Sequence, residues 1–186
     1  MNEVENIAEL ASDWWSKVIQ NPKFDNGDMS QTGAISNVIS KMLVKKLNED
    51  QISNFKQKLK EIILEHIKDD DYTFILGVDY GPCGYLTTAA EYAKVSINNF
   101  PIKTSMWISR NHLMVSYGYC AKREILYANK NYYLNKIESC ERMLRDYKHK
   151  SDDYFVIGTR EELIKEIEDE MKTYQYALEE LEKNES

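Results

Sequence analysis

The stretch KTSMWISRNHLMVSYGY, residues 103–119, decides the fold predicted from this sequence. Its two parts, Lys103–Ser109 and His112–Tyr119, are rich in β-branched and aromatic residues, which favour strands. Arg110 and Asn111 between them have the length of a two-residue hairpin turn. Arginine is a poor first residue for such a turn, so a slightly longer turn also fits. The segment predicts a pair of antiparallel strands.

Two other short segments extend this hairpin into a sheet. Tyr72–Val78 (YTFILGV) is apolar and β-branched, and it lies between a run of charges and the loop DYGPCG, so we predict a strand. Ile125–Tyr127 is predicted to be a third antiparallel piece beside the hairpin. The sheet is therefore expected to be small and mainly antiparallel.

Apolar residues at steps of three and four predict helices before the sheet and within it. Three N-terminal helices are indicated by the series Ile7, Leu10, Ala11, Trp14, Val18; Ile35, Val38, Ile39, Met42, Leu43, Leu47; and Ile52, Phe55, Leu59, Ile62, Ile63, Ile67. A short helix is expected at Tyr85–Lys94. The fold class is therefore α+β, with N-terminal helices packed on the sheet.

The last third of the chain predicts two long helices that form a C-terminal helical hairpin. Their heptad seams are Tyr133, Ile137, Cys140, Leu144, Tyr147 and Leu163, Ile167, Met171, Tyr174, Leu178, Leu181. Thr159 and Glu162 have the spacing of a capping box at the start of the second helix. The seams can pack within one chain or form a homodimer, and the sequence does not choose. We divide the chain into a core domain, 1–127, and an acidic helical appendage, 128–186.

Composition excludes several classes of protein. With 186 residues and 42% hydrophobic residues, the chain can build a core, which rules out wholesale disorder. No window approaches the roughly 18 uncharged apolar residues of a membrane span, and the acidic start is unlike a signal peptide. We therefore expect a soluble, cytoplasmic protein without a membrane partner. Three cysteines without CxxC spacing indicate neither a disulfide scaffold nor a cysteine zinc site.

The net charge of -7 is unevenly distributed. Residues 128–186 carry 15 Asp and Glu against 10 Lys and Arg, whereas residues 1–127 carry 16 against 14. The first 127 residues are thus nearly balanced and leave room for a local basic patch. A solvated helix face is the first explanation of this charge. If the protein meets a basic partner, the appendage is the part expected to contact it.

Asp25, Asn26 and Asp28 form the first candidate site, in the run DNGD. Two carboxylates and an amide oxygen beside Gly27 suit a hard cation such as calcium or magnesium. The full EF-hand pattern is missing, and Asp and Asn are also common in turns and helix caps. If the protein holds a metal ion, we expect Asp25, Asp28 and Asp79 to be its ligands.

The second candidate site is the loop GVDYGPCG, residues 77–84. Its spacing matches neither GxGxxG nor the P-loop, so it does not predict a nucleotide phosphate site. Asp79 at a strand end suits a general base or a metal ligand, and Cys83 near a helix start suits a nucleophile. If the protein is an enzyme, Asp79, Cys83 and His112 are the catalytic candidates. The alternative is a structural turn with a buried cysteine.

Tyrosines crowd one part of the chain, interleaved with lysine and arginine: Tyr117, Tyr119, Tyr127, Tyr132 and Tyr133. Aromatic rings beside cations can stack bases of a single strand, and the same residues are typical of protein-binding hot spots. Half-buried packing is the structural alternative. The three tryptophans, Trp14, Trp15 and Trp107, are predicted to be core residues.

Three of these segments resemble a known group of proteins: FDNGD at Phe24–Asp28 after a Trp-Trp helix, DYGPC at Asp79–Cys83, and FPIKTSMWI at Phe100–Ile108. They are similar to small proteins carried by phages, plasmids and integrative elements of Gram-positive bacteria. Some small acidic proteins of such elements are type II anti-CRISPRs, which inhibit the RNA-guided nuclease Cas9. The resemblance covers roughly residues 10–127, and the motifs bring no assigned residue roles with them.

Two hypotheses of function follow. The preferred one is a mobile-element accessory protein that inhibits a bacterial defence nuclease by binding the nuclease or its ribonucleoprotein, with direct nucleic-acid contact compatible with it. Its binding candidates are Asp25, Asn26, Asp28, Tyr80, Lys103, Tyr117 and Tyr119. The alternative is a small metal- or cysteine-dependent hydrolase acting through the DNGD and DYGPC loops. No cofactor is expected, because no catalytic or cofactor motif is complete.

Overall fold

Alternation of apolar and polar residues along the strands places the core on one side of a four-stranded sheet. The computed structural model describes residues 2–23, 38, 41–67, 73–118, 121–148 and 159–185. Its strands are β1 (Phe74–Val78), β2 (Thr104–Ile108), β3 (His112–Tyr117) and β4 (Glu124–Ala128), adjacent in that order. Alternate residues of β1 to β3 are buried: Phe74, Leu76, Val78, Thr104, Met106, Ile108, Leu113 and Val115. The sheet therefore buries one face, as expected for an antiparallel sheet.

The predicted hairpin between β2 and β3 is present, with Ile108 opposite Leu113. Its turn closes through a hydrogen bond from the Ser109 amide to the His112 carbonyl, 2.9 Å long. Neither Arg110 nor Asn111 has a positive φ, so the turn is not type I′. Instead, the Ser109 hydroxyl accepts hydrogen bonds from the amides of Asn111 and His112 at 3.2 and 3.1 Å. The Ser109 side chain therefore stabilises this turn, which has arginine at its first position.

Three helices supply the other layer of the core: α1 (Glu3–Gln20), α2 (Glu49–His66) and α3 (Gly84–Ala93). Asn2 and Asn48 cap α1 and α2 with complete capping boxes. The helices pack their apolar faces together with the sheet, and the shared core includes Ile7, Trp15, Phe55, Leu59, Leu76, Leu86 and Met106. The predicted α+β class, with N-terminal helices on a small antiparallel sheet, is confirmed.

The buried stripe of α1 differs from the predicted one. Trp15 and Ile19 are fully buried, whereas Trp14 is only partly buried and Leu10 is exposed. Trp15 packs against Phe100, with ring centroids 6.2 Å apart. Trp14 and Trp15 both fit the helical spacing of the buried face, so periodicity does not decide which one is buried. Packing against Phe100 places Trp15 in the core.

Of the helix predicted from Ile35 to Leu47, the structure describes residues 38 and 41–47. Residues 41–43 are helical and residues 44–48 are not, so the prediction is wrong at Leu47, which nevertheless packs against the core. Val38, Met42 and Leu43 are exposed, contrary to the buried face predicted for them. The segment before α2 is thus tied to the core by Leu47 and by backbone hydrogen bonds.

Those hydrogen bonds converge on Asn99, a fully buried polar side chain. Its Nδ2 donates to the carbonyls of Ile19 and Lys45 at 3.0 and 2.8 Å, and its Oδ1 accepts from the Lys45 amide at 3.0 Å. The side chain therefore satisfies the end of α1 and the segment before α2 at once. Asn99 lies in a short 3₁₀ helix, Ile97–Asn99, between α3 and β2.

The remaining helices, α4 (Lys130–Lys148) and α5 (Arg160–Glu185), belong to a second compact unit. Contacts divide the chain into Met1–Tyr127, the N-terminal unit, and Ala128–Ser186, the hairpin unit. Within the hairpin unit the helices run antiparallel, because Lys130 pairs with Glu182 at 2.5 Å and Arg160 donates to the Lys148 carbonyl. The two seams therefore pack within one chain.

Two details of the hairpin unit test the predicted pattern. Cys140, Leu144 and Ile167 are buried between the helices as predicted, but Tyr132 is buried in place of Tyr133. Tyr132 makes an edge contact with Tyr174, 6.4 Å between centroids. The predicted capping box is confirmed, since Thr159 and Glu162 exchange hydrogen bonds of 2.8 and 3.2 Å. Within the described ranges, no helix has the length and apolar character to cross a bilayer.

The α1–α2 contact should respond to pH. Lys56 Nζ lies 2.5 Å from Glu9 and 2.6 Å from Asp13, and Lys60 Nζ lies 2.5 Å from Glu9. Hydrogen bonds from Lys56 and Lys60 hold the pKa of Glu9 below its usual 4.5. A lowered pKa in the folded state stabilises the fold at neutral pH, and this stabilisation is lost as pH falls below about 4.5.

We therefore expect Glu9→Gln to lower the free energy of unfolding at pH 7 by up to about 1 kcal/mol, since the pair is partly exposed. The difference from wild type should shrink as pH falls below 4.5. Urea unfolding followed by tryptophan fluorescence measures it, because all three tryptophans lie in the N-terminal unit. A pH-independent difference would contradict the assignment, and a Lys56→Met background should reduce it.

The Asn99 clamp gives a second prediction for stability. Asn99→Ala leaves the Ile19 carbonyl and the Lys45 backbone without their buried partner, so we expect a loss of roughly 2–4 kcal/mol. Asn98→Ala, at the exposed neighbouring position, is the matched control and should cost less than about 0.5 kcal/mol. Equal losses in the two variants would show that the clamp contributes nothing specific.

Candidate functional site

A cleft of about 580 Å³ opens where β1 and β2 meet the loops at one end of the sheet. We call it the loop cleft; its walls include Asp79, Cys83, Lys103, Ser105, Ser116 and Gly118. Three of these residues were predicted as site residues from the sequence. The loop cleft is therefore the part of the described chain that assembles the most predicted candidates.

The loop 79–83 folds back onto the strand it follows. Val78 forms an isolated bridge with Pro82, and the Cys83 amide donates to the Gly77 carbonyl at 2.8 Å. Neither Gly81 nor Gly84 has a positive φ, and a Cβ at either position would meet open space. The backbone therefore does not require glycine at position 81 or 84. Because these two residues have no side chain, the loop backbone is uncovered at both positions.

Lys103 is the centre of the loop cleft. Its ammonium pairs with the Asp79 carboxylate and lies 4.1 Å from the centroid of the exposed Tyr80 ring. Its backbone has a φ of 57°, a left-handed conformation that costs energy for any residue with a Cβ. Hydrogen bonds to the Asp79 carbonyl at 3.3 Å and from Gly118 at 2.8 Å hold it there. Strain held by its surroundings is common at functional positions.

The loop cleft continues onto the sheet face opposite the core, which we call the open face. Two rows of paired residues cross β1, β2 and β3 there: Gly77, Ser105, Ser116 and Ile75, Trp107, Met114. The first row is small and hydroxyl-bearing, so it forms a shallow floor. The second row is apolar, with Ile75 52% exposed. The Arg123 guanidinium lies 4.4 Å from the Trp107 ring centroid.

The other predicted residues lie elsewhere. Tyr117 is on the core side of β3, where its hydroxyl accepts from the Lys23 amide at 2.7 Å and donates to the Lys23 carbonyl at 3.0 Å. Burial raises the pKa of Tyr117, so its hydroxyl remains a donor at neutral pH. Asp25, Asn26, Asp28 and Tyr119 lie outside the described residues. Two of the three ligands predicted for a metal ion, Asp25 and Asp28, therefore lie outside the part of the chain that the structure describes.

The hypothetical Cys83 and His112 pair is not formed. Cys83 bonds to Gly77, which is opposite Ser105, whereas His112 follows the turn beyond Ile108. The strand rises about 3.3 Å per residue, so the four steps from Ser105, beside Cys83, to Ser109, beside His112, span roughly 13 Å. A ring nitrogen of His112 instead lies 2.8 Å from the Ser109 hydroxyl. His112 therefore supports the hairpin turn, at the opposite end of β2 from the thiol.

The tyrosines that crowd together in the sequence have different surroundings in the structure. Tyr117 faces α1, and Tyr127 packs against the core with its hydroxyl 3.4 Å from Glu3. Tyr132 and Tyr133 belong to the hairpin unit. Within the N-terminal unit, Tyr117 and Tyr127 are thus both partly buried against their neighbours, which agrees with the half-buried packing alternative for these two residues.

Sequence reasoning missed the contact between Trp107 and Arg123 on the open face. Trp107 was predicted to be core, yet it is half-buried on the side opposite Met106 and Ile108. The signal was available, because Thr104, Met106 and Ile108 alternate with Ser105 and Trp107. The contact between Arg123 and Trp107 depends on how the strands pair, and the sequence does not specify that pairing.

The described residues contain no group of three or more His, Cys, Asp or Glu side chains arranged to hold a metal ion. The loop cleft instead offers two hydroxyls, a half-buried thiol and a compensated ion pair beside an apolar row. These groups suit recognition of a mixed polar and apolar surface. No protein-family model matches the chain, and no curated protein matches it.

The strain at Lys103 is measurable. Lys103→Gly and Lys103→Ala both remove the ammonium that pairs with Asp79, but only glycine relieves the left-handed φ. We expect the alanine variant to be less stable than the glycine variant by about 1 kcal/mol. Urea unfolding followed by tryptophan fluorescence measures the difference. The glycine and alanine variants of Lys94, whose φ is 55°, give the difference expected for a left-handed residue. Equal stability of the two Lys103 variants, with a difference between the two Lys94 variants, would contradict the strain assigned to Lys103.

Proposed function

We propose that the protein is a binding protein that inhibits an RNA-guided bacterial defence nuclease of the Cas9 type. The observation that carries the binding part is the row Ile75, Trp107 and Met114 across the open face, with Arg123 over the Trp107 ring. Trp, Met and Arg are the residues enriched in the centres of protein interfaces. The open face is the proposed contact surface for the nuclease.

The polar parts of the site fit the same role. Ser105 and Ser116 lie beside the apolar row, and Lys103 with Asp79 forms a charged edge. An apolar centre with a polar rim is the usual anatomy of a protein interface. Tyr80, 80% exposed, adds an aromatic ring at that edge. The predicted binding residues Tyr80 and Lys103 therefore belong to this proposed surface.

The choice of a nuclease as partner is supported by the sequence resemblance and by the hairpin unit. Helix α5 carries ten Asp and Glu against four Lys and Arg. Several of its carboxylates are exposed, among them Glu161, Glu166 and Glu179. A nuclease has cationic grooves for nucleic-acid phosphates, and an acidic helix complements such a groove electrostatically. We propose that α5 supplies this charge contact.

The enzymatic alternative, a small metal- or cysteine-dependent hydrolase, has less support. Its cysteine form requires a base near Cys83, and His112 lies at the other end of β2. Its metal form depends on Asp25 and Asp28, which the structure does not describe. No observation in the described residues favours this alternative over binding.

The test of the open face is the affinity of the full chain for a Cas9–guide RNA complex, measured by biolayer interferometry. We expect Trp107→Ala to weaken binding at least tenfold, because a truncated interface tryptophan typically costs about 2 kcal/mol or more. Tyr92→Ala on α3, also an exposed aromatic, is the matched control and should bind normally. Gly77→Ala is a second variant. Its added Cβ would lie 3.6 Å from the Ser105 hydroxyl, an ordinary contact, so the protein should fold. The methyl group protrudes from the open face, so we expect it to weaken binding.

The charge contact is tested in the same assay. Glu166→Gln with Glu179→Gln should weaken binding and reduce its salt dependence, whereas Glu65→Gln with Glu91→Gln, the same charge change on exposed positions of α2 and α3, should not. Wild-type protein that fails to bind or inhibit the complex would overturn the choice of partner. Normal binding by Trp107→Ala would contradict the assignment of the open face as the contact surface.

A further inference from the structure

A second cleft of about 470 Å³ lies on the core side of β3, beside the end of α1. We call it the lysine cleft, because Lys17, Lys23 and Lys122 lie along it, with Glu124 as its acidic residue. Its aromatic residues are Trp14 and Tyr117. Val115 and Tyr117 line it from β3, so it opens on the side of the sheet opposite Ser116 and the loop cleft.

We propose that the lysine cleft binds a nucleotide, an aromatic base bearing phosphate, either free or as part of a single strand. This site is separate from the open face, so the inference does not rest on the proposed function. Its volume is within the range of about 300–1,000 Å³ usual for small-ligand sites. Each part of such a ligand has a counterpart in the cleft.

The first counterpart is positive charge. Lys17, Lys23 and Lys122 are exposed, and among the described residues none of their ammonium groups forms an ion pair. Lysines elsewhere in this acidic chain do find carboxylates, as Lys56 and Lys60 do. Among the described residues that line the cleft, three lysines face one carboxylate, Glu124, so this lining carries a positive excess, whereas the N-terminal unit as a whole is slightly negative. Such an excess attracts phosphate.

The second counterpart is an aromatic floor with fixed geometry. Trp14 and Tyr117 meet edge to face, 6.4 Å between centroids, and Trp14 also contacts the fully buried Trp15 at 5.1 Å. The Tyr117 hydroxyl is held by both backbone groups of Lys23. That clamp fixes the ring and also places Lys23 at the rim. Base stacking on aromatic rings beside cations is the usual way to hold a single strand.

These two features together favour a nucleotide over a simple anion or an acidic peptide. Lysines alone would suit any phosphate or carboxylate, whereas the Trp14 and Tyr117 rings add an apolar surface that inorganic phosphate cannot use. A base attached to phosphate uses both. Because the two sources of this ligand share the same chemistry, the experiment must separate a free nucleotide from a strand.

The test uses the purified full chain without any nuclease. Fluorescence anisotropy with a labelled 12-nucleotide RNA, the matching DNA strand, and competition by AMP and ATP report binding at several salt concentrations. We expect an affinity that falls with salt, with a slope of about 2 on logarithmic axes for three lysine contacts to a single strand. Binding of the strands that AMP and ATP do not displace supports a strand as the source, and displacement of the labelled RNA by AMP or ATP supports a free nucleotide.

The variants locate the ligand. Lys17→Met with Lys23→Met and Lys122→Met should reduce affinity roughly tenfold or more and flatten the salt slope. Lys41→Met with Lys45→Met and Lys46→Met removes the same charge from other exposed positions and should leave both unchanged. A base stacked on Trp14 should quench tryptophan emission in the wild-type protein. Trp14→Phe keeps an aromatic ring at this position, so it should retain binding and lose that quenching.

Three results would overturn the proposal: no binding of strand or nucleotide, equal loss in the two triple variants, or full quenching in Trp14→Phe. The last would place the ligand near another tryptophan, such as Trp107 on the open face. Failure of this test leaves the nuclease-binding assay unaffected, because that assay depends on Trp107 and the acidic helix. The two proposals are thus distinguishable.

Discussion

The rest of this structure depends on the alternation of side chains along β1, β2 and β3 in one fixed register. Residues such as Leu76, Met106 and Val115 face the helices, and their neighbours Gly77, Ser105 and Ser116 face the other way. Since the period of a strand is two, slipping one residue would exchange the faces. Burial of the apolar set therefore fixes the register and, with it, both clefts.

The helices hold that register by covering one face only. Helix α1 contributes Trp15, α2 contributes Phe55, and both rings contact Phe100, which enters the core just before β2. The buried side chain of Asn99, the residue before it, ties α1 to the segment preceding α2 through three hydrogen bonds. Two consecutive residues thus anchor the helical layer, one through apolar contact and one through satisfied polar groups.

Much of the fold was predictable from local pattern. The strands, their short turn, the capping box at Thr159 and the two long terminal helices all follow from spacing within a few residues. The candidate site was harder to predict: Asp79, Cys83 and Lys103 do meet at one cleft, with the Tyr80 ring beside Lys103, but the contact between Trp107 and Arg123 was missed. Lys17, Lys23 and Lys122 were missed as a group, because nothing in their spacing of six and 99 positions indicates proximity.

The sequence by itself determined the order of the strands and long helices, a small antiparallel sheet, and the concentration of acidic residues at the C-terminal helices. Only the tertiary structure decided that Trp15 rather than Trp14 fills the core, that Cys83 and His112 lie at opposite ends of β2, and that three distant lysines share a cleft. The physical reason is range. Periodicity reports which side chains share a face of one element, whereas the rotation of that element and its partners depend on packing between segments far apart in the chain.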